Sequence, residues 1–147
     1  MTRNRISGVV VSASLFMAGM AAGIALRPAN ALHAQAGARV FELRTYTAPP
    51  GKLADLEARF RDHTIDVFNR HGMTSIGYWV QLDAPLSQNT LIYILAHPSR
   101  EAAAANWAAF RADPEWQKVS AASQVNGTLV DKVDSVFVNA TDFSPIK

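Results

Sequence analysis

Glu42, Arg44 and Tyr46 alternate along the run Val40-Phe41-Glu42-Leu43-Arg44-Thr45-Tyr46. A side-chain period of two puts all three on one face of a strand, with Phe41, Leu43 and Thr45 on the other. An arginine between a carboxylate and a phenol suits the holding of an anion: the guanidinium clamps, the glutamate orients it and the tyrosine donates. The same trio serves a charge-paired patch at a strand edge or dimer seam equally well, and both readings stay open. His63 sits on the shoulder of an apolar helical stripe, three residues after Phe60 and four before Val67, and is aimed toward the sheet. Asp66, one turn on, is its natural partner. Such an imidazole is either a general base or haem ligand, or a hydrogen-bonded histidine at the rim. Trp79, Trp107, Phe110 and Trp116 carry the aromatic surface. Ala103, Trp107 and Phe110 form one helical stripe, so core is the default for them and a cavity lined by Trp79 and Trp107 is the sharper alternative. With Tyr78 beside Trp79, the candidate ligand-binding set is Glu42, Arg44, Tyr46, His63, Tyr78, Trp79 and Trp107. Arg44, Tyr46 and His63 are the candidates for catalysis.

Other chemistries find no footing. The chain has no cysteine, which excludes thiolate metal sites, a cysteine nucleophile and c-type haem attachment. His63, His71 and His97 share no ligand spacing, and His97 before Pro98 reads as a loop histidine, so no metal and no cofactor are expected. Glycine-rich phosphate loops and the Gly-x-Ser-x-Gly elbow do not occur.

The elements that must position these residues follow from periodicity. Ala38–Thr47 reads as a strand ended by Ala48-Pro49-Pro50-Gly51. Leu53, Leu56, Phe60, Thr64 and Val67 form the stripe of one helix over Lys52–His71, with Gly72 as its left-handed cap. Met73–Val80 is a second strand, and alternation assigns Ile76, Tyr78 and Val80 to one side and Met73 and Trp79 to the other. Thr90–His97 is a third strand, apolar on both sides, as a strand covered on both faces would be. Ser99 caps a helix to about Arg111, Asp113-Pro114 restarts one to about Ser123, and Lys132–Val138 is a fourth strand. The order β-α-β-β-α-β predicts an α+β, ferredoxin-like domain: a four-stranded antiparallel sheet with helices on one face. The other face would expose apolar surface, and a two-fold dimer stacking sheet on sheet, a dimeric α/β barrel, closes it most simply.

Of the 147 residues, residues 1–36 hold three arginines and no acid. The rest carries 11 Lys+Arg against 12 Asp+Glu, a net of −1. The overall pI near 9.2 therefore belongs to the N-terminus, and nucleic acid is not an expected partner. Ile6–Leu26 is 21 residues without a charge, followed by the small-x-small triplets Ala29-Asn30-Ala31 and Ala34-Gln35-Ala36. Residues 1–36 thus read as a signal peptide, or as a retained N-terminal anchor, ahead of a domain over residues 38–147. Either way the domain is exported: periplasmic or secreted if cleaved, membrane-held outside the cytoplasm if not.

The domain resembles the NIPSNAP family of the dimeric α/β-barrel superfamily. The resemblance is carried by Glu42-Leu43-Arg44-Thr45-Tyr46, Pro50-Gly51-Lys52, His71-Gly72, Gly77-Tyr78-Trp79 and Trp107-x-x-Phe110-x-x-Asp113-Pro114-x-Trp116. It spans about residues 40–147 and implies a homodimer with a pocket between sheet and helices, but no particular reaction. Two functions follow as expectations. One is an exported homodimer that binds a small apolar ligand or a protein partner. The other, by analogy of fold, is a cofactor-independent monooxygenase acting on an aromatic substrate in the sheet–helix cavity.

Overall fold

The computed structural model describes residues 39–147; the leader expected over residues 1–36 lies outside the described residues. Four strands, β1 (Val40–Thr47), β2 (Thr74–Val80), β3 (Thr90–His97) and β4 (Lys132–Asn139), form one antiparallel sheet in the order β2-β3-β1-β4. Between β1 and β2 run α1 (Leu53–Arg59), a π-helical turn (Phe60–Thr64) and α2 (Ile65–Arg70). Between β3 and β4 run α3 (Arg100–Ala112) and α4 (Pro114–Ser123). The fold is the expected ferredoxin-like α+β arrangement. The caps are as the sequence implies: the Ser99 side chain accepts from the Ala102 amide, and Asp113 accepts from the Glu115 and Trp116 amides with Pro114 in the first turn.

The core lies between the helices and the face of the sheet that carries Tyr93. Its ring meets Phe60 at 5.2 Å and Phe68 at 6.0 Å, and Phe68 in turn meets Trp107 at 5.4 Å and Phe110 at 5.0 Å. Each side chain buried here contributes about 1.5–3 kcal/mol. The central position of β3 explains its apolar run: Leu91, Tyr93 and Leu95 point into this core, while Ile92, Ile94 and Ala96 point to the opposite face.

Two departures from simple periodicity matter. The single helix expected over Lys52–His71 is interrupted by the π turn, where the Ile65 amide bonds back to the Phe60 carbonyl and the Thr64 hydroxyl donates to the Arg59 carbonyl at 3.1 Å. With one residue more in this turn, Thr64 and Val67 remain in the buried stripe and Phe68 joins it, while Arg59, three residues after Leu56, is buried beside Phe60. The second departure is a bulge in β2 between Ser75 and Gly77. It inverts the alternation: Met73 enters the core and Ile76 joins Phe41 and Ile94 on the open face, the reverse of the sides expected for both.

That open face carries Leu43, Ile92, Ile94, Trp79, Val136 and Val138. Trp79 is 49% exposed there and its ring lies over Gly77. The C-terminal segment covers one end, with Ala140, Ser144 and Ile146 beside Phe41 and Val138, and Arg39 donating to the Lys147 carbonyl. Among the described residues no helix is long and apolar enough to cross a membrane.

Candidate functional site

Glu42, in the middle of the sheet, is 2% exposed and turned toward the helices. Four donors converge on its carboxylate. Oε1 accepts from the Ser135 hydroxyl at 2.6 Å and from Arg44 Nη1 at 3.1 Å. Oε2 accepts from the Trp107 indole Nε1 at 2.7 Å and from His97 Nε2 at 3.2 Å. Register explains the convergence: Glu42 pairs across to Leu95 and Phe137, so His97 and Ser135 each lie two residues along the flanking strands. Burial pushes the Glu42 carboxyl up, but the hydrogen bonds from His97, Ser135 and Trp107 and the Arg44 charge outweigh it and hold the pKa at about 2. The carboxylate is therefore charged and fully occupied. Since it can only accept, His97 donates through Nε2, and its Nδ1 is buried without a partner among the described residues.

Arg44 is the outward half of this pair. One Nη holds Glu42, the guanidinium lies 4.1 Å from the Trp107 ring centroid and 5.5 Å from that of Tyr46, and its Nε has no partner. Above it is a groove of about 460 Å³ lined by Glu42, Arg44, Arg100, Trp107, Arg111 and Phe137, with Ala104 at its side. Residues 100, 104, 107 and 111 recur at four, three and four residues, so one stripe of α3 sets an arginine one or two turns to either side of Trp107. Arg100 also stands 4.7 Å over the Phe137 ring. The groove thus holds three guanidinium groups against one carboxylate, beside two aromatic rings.

The seven candidate residues do not form one pocket. Glu42, Arg44 and Trp107 share this groove. Tyr46 is on the same face of β1, packed edge-on to Phe60 and Tyr93. Tyr78 stacks on Tyr93 at 5.6 Å and shares a 2.6 Å hydrogen bond with Ser75, and burial raises its phenol pKa. Trp79 points to the opposite face, so a cavity lined by both Trp79 and Trp107 does not form. His63 is exposed, makes no hydrogen bond to Asp66, and lines a different cavity between the π turn and α4. His97, whose place before Pro98 predicts a loop histidine, is instead fully buried at the end of β3. Arg100 and Arg111 join the site beyond the expected set, and their spacing of seven and four residues from Trp107 is the signal that the sequence holds for them. Ser135 left no such signal, because only the register of β4 brings it to Glu42. Among the described residues no group of three His, Asp or Glu side chains is placed to hold a metal ion.

Comparison with known proteins gives a consistent result. The family model described as NIPSNAP matches residues 41–145. A NIPSNAP family protein with unknown function from Agrobacterium tumefaciens is 22% identical, with a TM-score of 0.66 over 76% of this chain and 96% of that one. A second from the same organism is 25% identical, with a TM-score of 0.65 over 74% and 91%. SnoaB, a cofactor-independent oxygenase from Streptomyces nogalater, aligns at 16% identity over 74% and 98% with a TM-score of only 0.48, too remote to bear on chemistry. No curated protein matches.

Proposed function

The chain belongs to the NIPSNAP family, and from that premise we propose that it is an exported homodimer which binds a small anionic molecule with an apolar body in the Arg44 groove. One observation carries the reading: Arg44, Arg100 and Arg111 converge on the Trp107–Phe137 groove while Glu42, the carboxylate beside them, is saturated by its own donors. An oxyanion entering there meets unspent guanidinium donors, and its apolar part meets aromatic faces. The dimer is supported by the apolar open face around Trp79, which a second copy would cover. Export is supported by the charge and apolar pattern of residues 1–36.

Calorimetric titration of the purified domain with aromatic carboxylates, whose rings suit the Trp107 and Phe137 faces, tests the site. Binding should weaken about 10- to 100-fold in Arg44→Gln and in the Arg100→Gln/Arg111→Gln double variant, the worth of one or two charged hydrogen bonds. Equal affinity in all three proteins would remove the groove from the function. Oxygen uptake with quinol substrates, abolished by Arg44→Gln, would replace the binding reading by an oxygenase.

A further inference from the structure

A second arginine is buried with less company than Arg44. Arg59, the last residue of α1, is 8% exposed, and among the described residues it makes no ion pair. Its one hydrogen bond runs from Nη1 to the Ser123 hydroxyl at 3.4 Å, its Nε is buried without a partner, and its guanidinium lies 5.2 Å from the Trp116 ring centroid. Arginine does not escape burial by losing its proton, so a buried guanidinium requires an opposing charge or pays heavily for lacking one. A cation–π contact at that distance replaces only part of what water would supply. Burial accordingly lowers the guanidinium pKa.

Arg59 lies three residues after Leu56 and one before Phe60, on the edge of the buried stripe of α1. What it faces is a cavity of about 810 Å³ between α1, the π turn and α4, whose apolar floor is the half-buried Ala58 and Val119 and the buried Leu129, with the exposed Ala122 at its edge. Its polar rim carries Asp55, Asp62, His63, Glu115 and Lys118. Asp55 is paired with Lys52 and Glu115 with Arg70, so the rim is already close to neutral. We infer that this cavity is a second ligand site, separate from the Arg44 groove, which takes the carboxylate of an aliphatic monocarboxylic acid on Arg59 and its hydrocarbon tail on the apolar floor. A single negative charge satisfies the one unpaired guanidinium, whereas a phosphate or dicarboxylate would bring excess charge against Asp55, Asp62 and Glu115. Ser123 lines the same cavity, its hydroxyl accepting from the guanidinium and donating to the Ser120 carbonyl at 3.1 Å, so the ligand's charge falls to Arg59 alone.

The test uses thermal unfolding and calorimetry of the domain with octanoate, and with octylamine and inorganic phosphate as controls. Octanoate should raise the unfolding temperature in a saturable way while octylamine and phosphate do not. Arg59→Met should remove that response, Arg59→Lys should weaken binding about tenfold or more through loss of the bidentate fork, and Arg44→Gln should leave it intact. Because Met replaces an unpaired charge with an apolar chain of similar length, ligand-free Arg59→Met should be as stable as the parent or more so. Equal stabilisation by octylamine, or no response to octanoate in the parent, overturns the site. A large loss of stability in ligand-free Arg59→Met also overturns it, since Arg59 would then be serving the fold itself. Loss of the octanoate response in Arg44→Gln would transfer the ligand to the other groove.

Discussion

Glu42 shows how much one side chain can demand of its surroundings. A lone buried carboxylate would protonate; four donors keep this one ionised until the pH falls toward 2. The unfolded chain titrates near 4.5, so acidification protonates the unfolded state first. The stabilisation from Glu42, of order 3 kcal/mol, should be complete above about pH 4.5 and fall away between there and pH 2. Glu42→Gln should lower neutral-pH stability by a similar amount and flatten the acid limb of the denaturant-midpoint profile; a variant with the parent's pH profile would show that Glu42 does not set it. At this scale the sequence was partly legible. Alternation alone set Glu42, Arg44 and Tyr46 on one face of β1, and the structure keeps them together. His97 and Ser135 were not legible as partners, because they reach Glu42 through the pairing of β1 with β3 and β4, and no local pattern encodes which residues of two distant strands stand opposite. Arg59 was hidden for a different reason: a charge at the edge of an apolar stripe reads as solvated, and only the packing of α4, with Trp116 and Ser123, against α1 covers it.

Secondary elements were legible wherever caps and periods agreed. Ser99, Asp113-Pro114 and Gly72 mark helix boundaries that the structure keeps to within a residue or so. The failures are both insertions of one residue, the π turn and the β2 bulge, and neither leaves a signature in composition. Each changes which side chains face inward without changing the element's type. The bulge region also supplies a test of the open face. A Cβ on Gly77 would meet the Trp79 ring at 2.6 Å, so Gly77→Ala must swing the indole away from the sheet. If the open face is the dimer seam, sedimentation should show the variant's dimer dissociating at about tenfold or more higher concentration than the parent. An unchanged dissociation constant would place the seam elsewhere.

For the whole molecule the question is assembly and destination. The fold class followed from element order because few ways exist to pack β-α-β-β-α-β, whereas element order says nothing of what meets the open sheet face. A monomeric mass in solution at micromolar concentration would remove the dimer. Intact-mass measurement of the exported protein should find a new N-terminus just after Ala31 or Ala36; a full-length chain in the membrane fraction would establish the anchor, and a full-length cytoplasmic chain would end the export reading. The contact between Arg39 and the Lys147 carbonyl bears on how such a domain can be handled. It means that the two ends of the described residues share one corner, beside the Val40–Asn139 pair of β1 and β4. Residues 39–147 are therefore close to a closed ring, and a short bridge across that corner, with a new opening cut at the Leu86–Gln88 turn, would reorder this segment while leaving every strand pairing where it is.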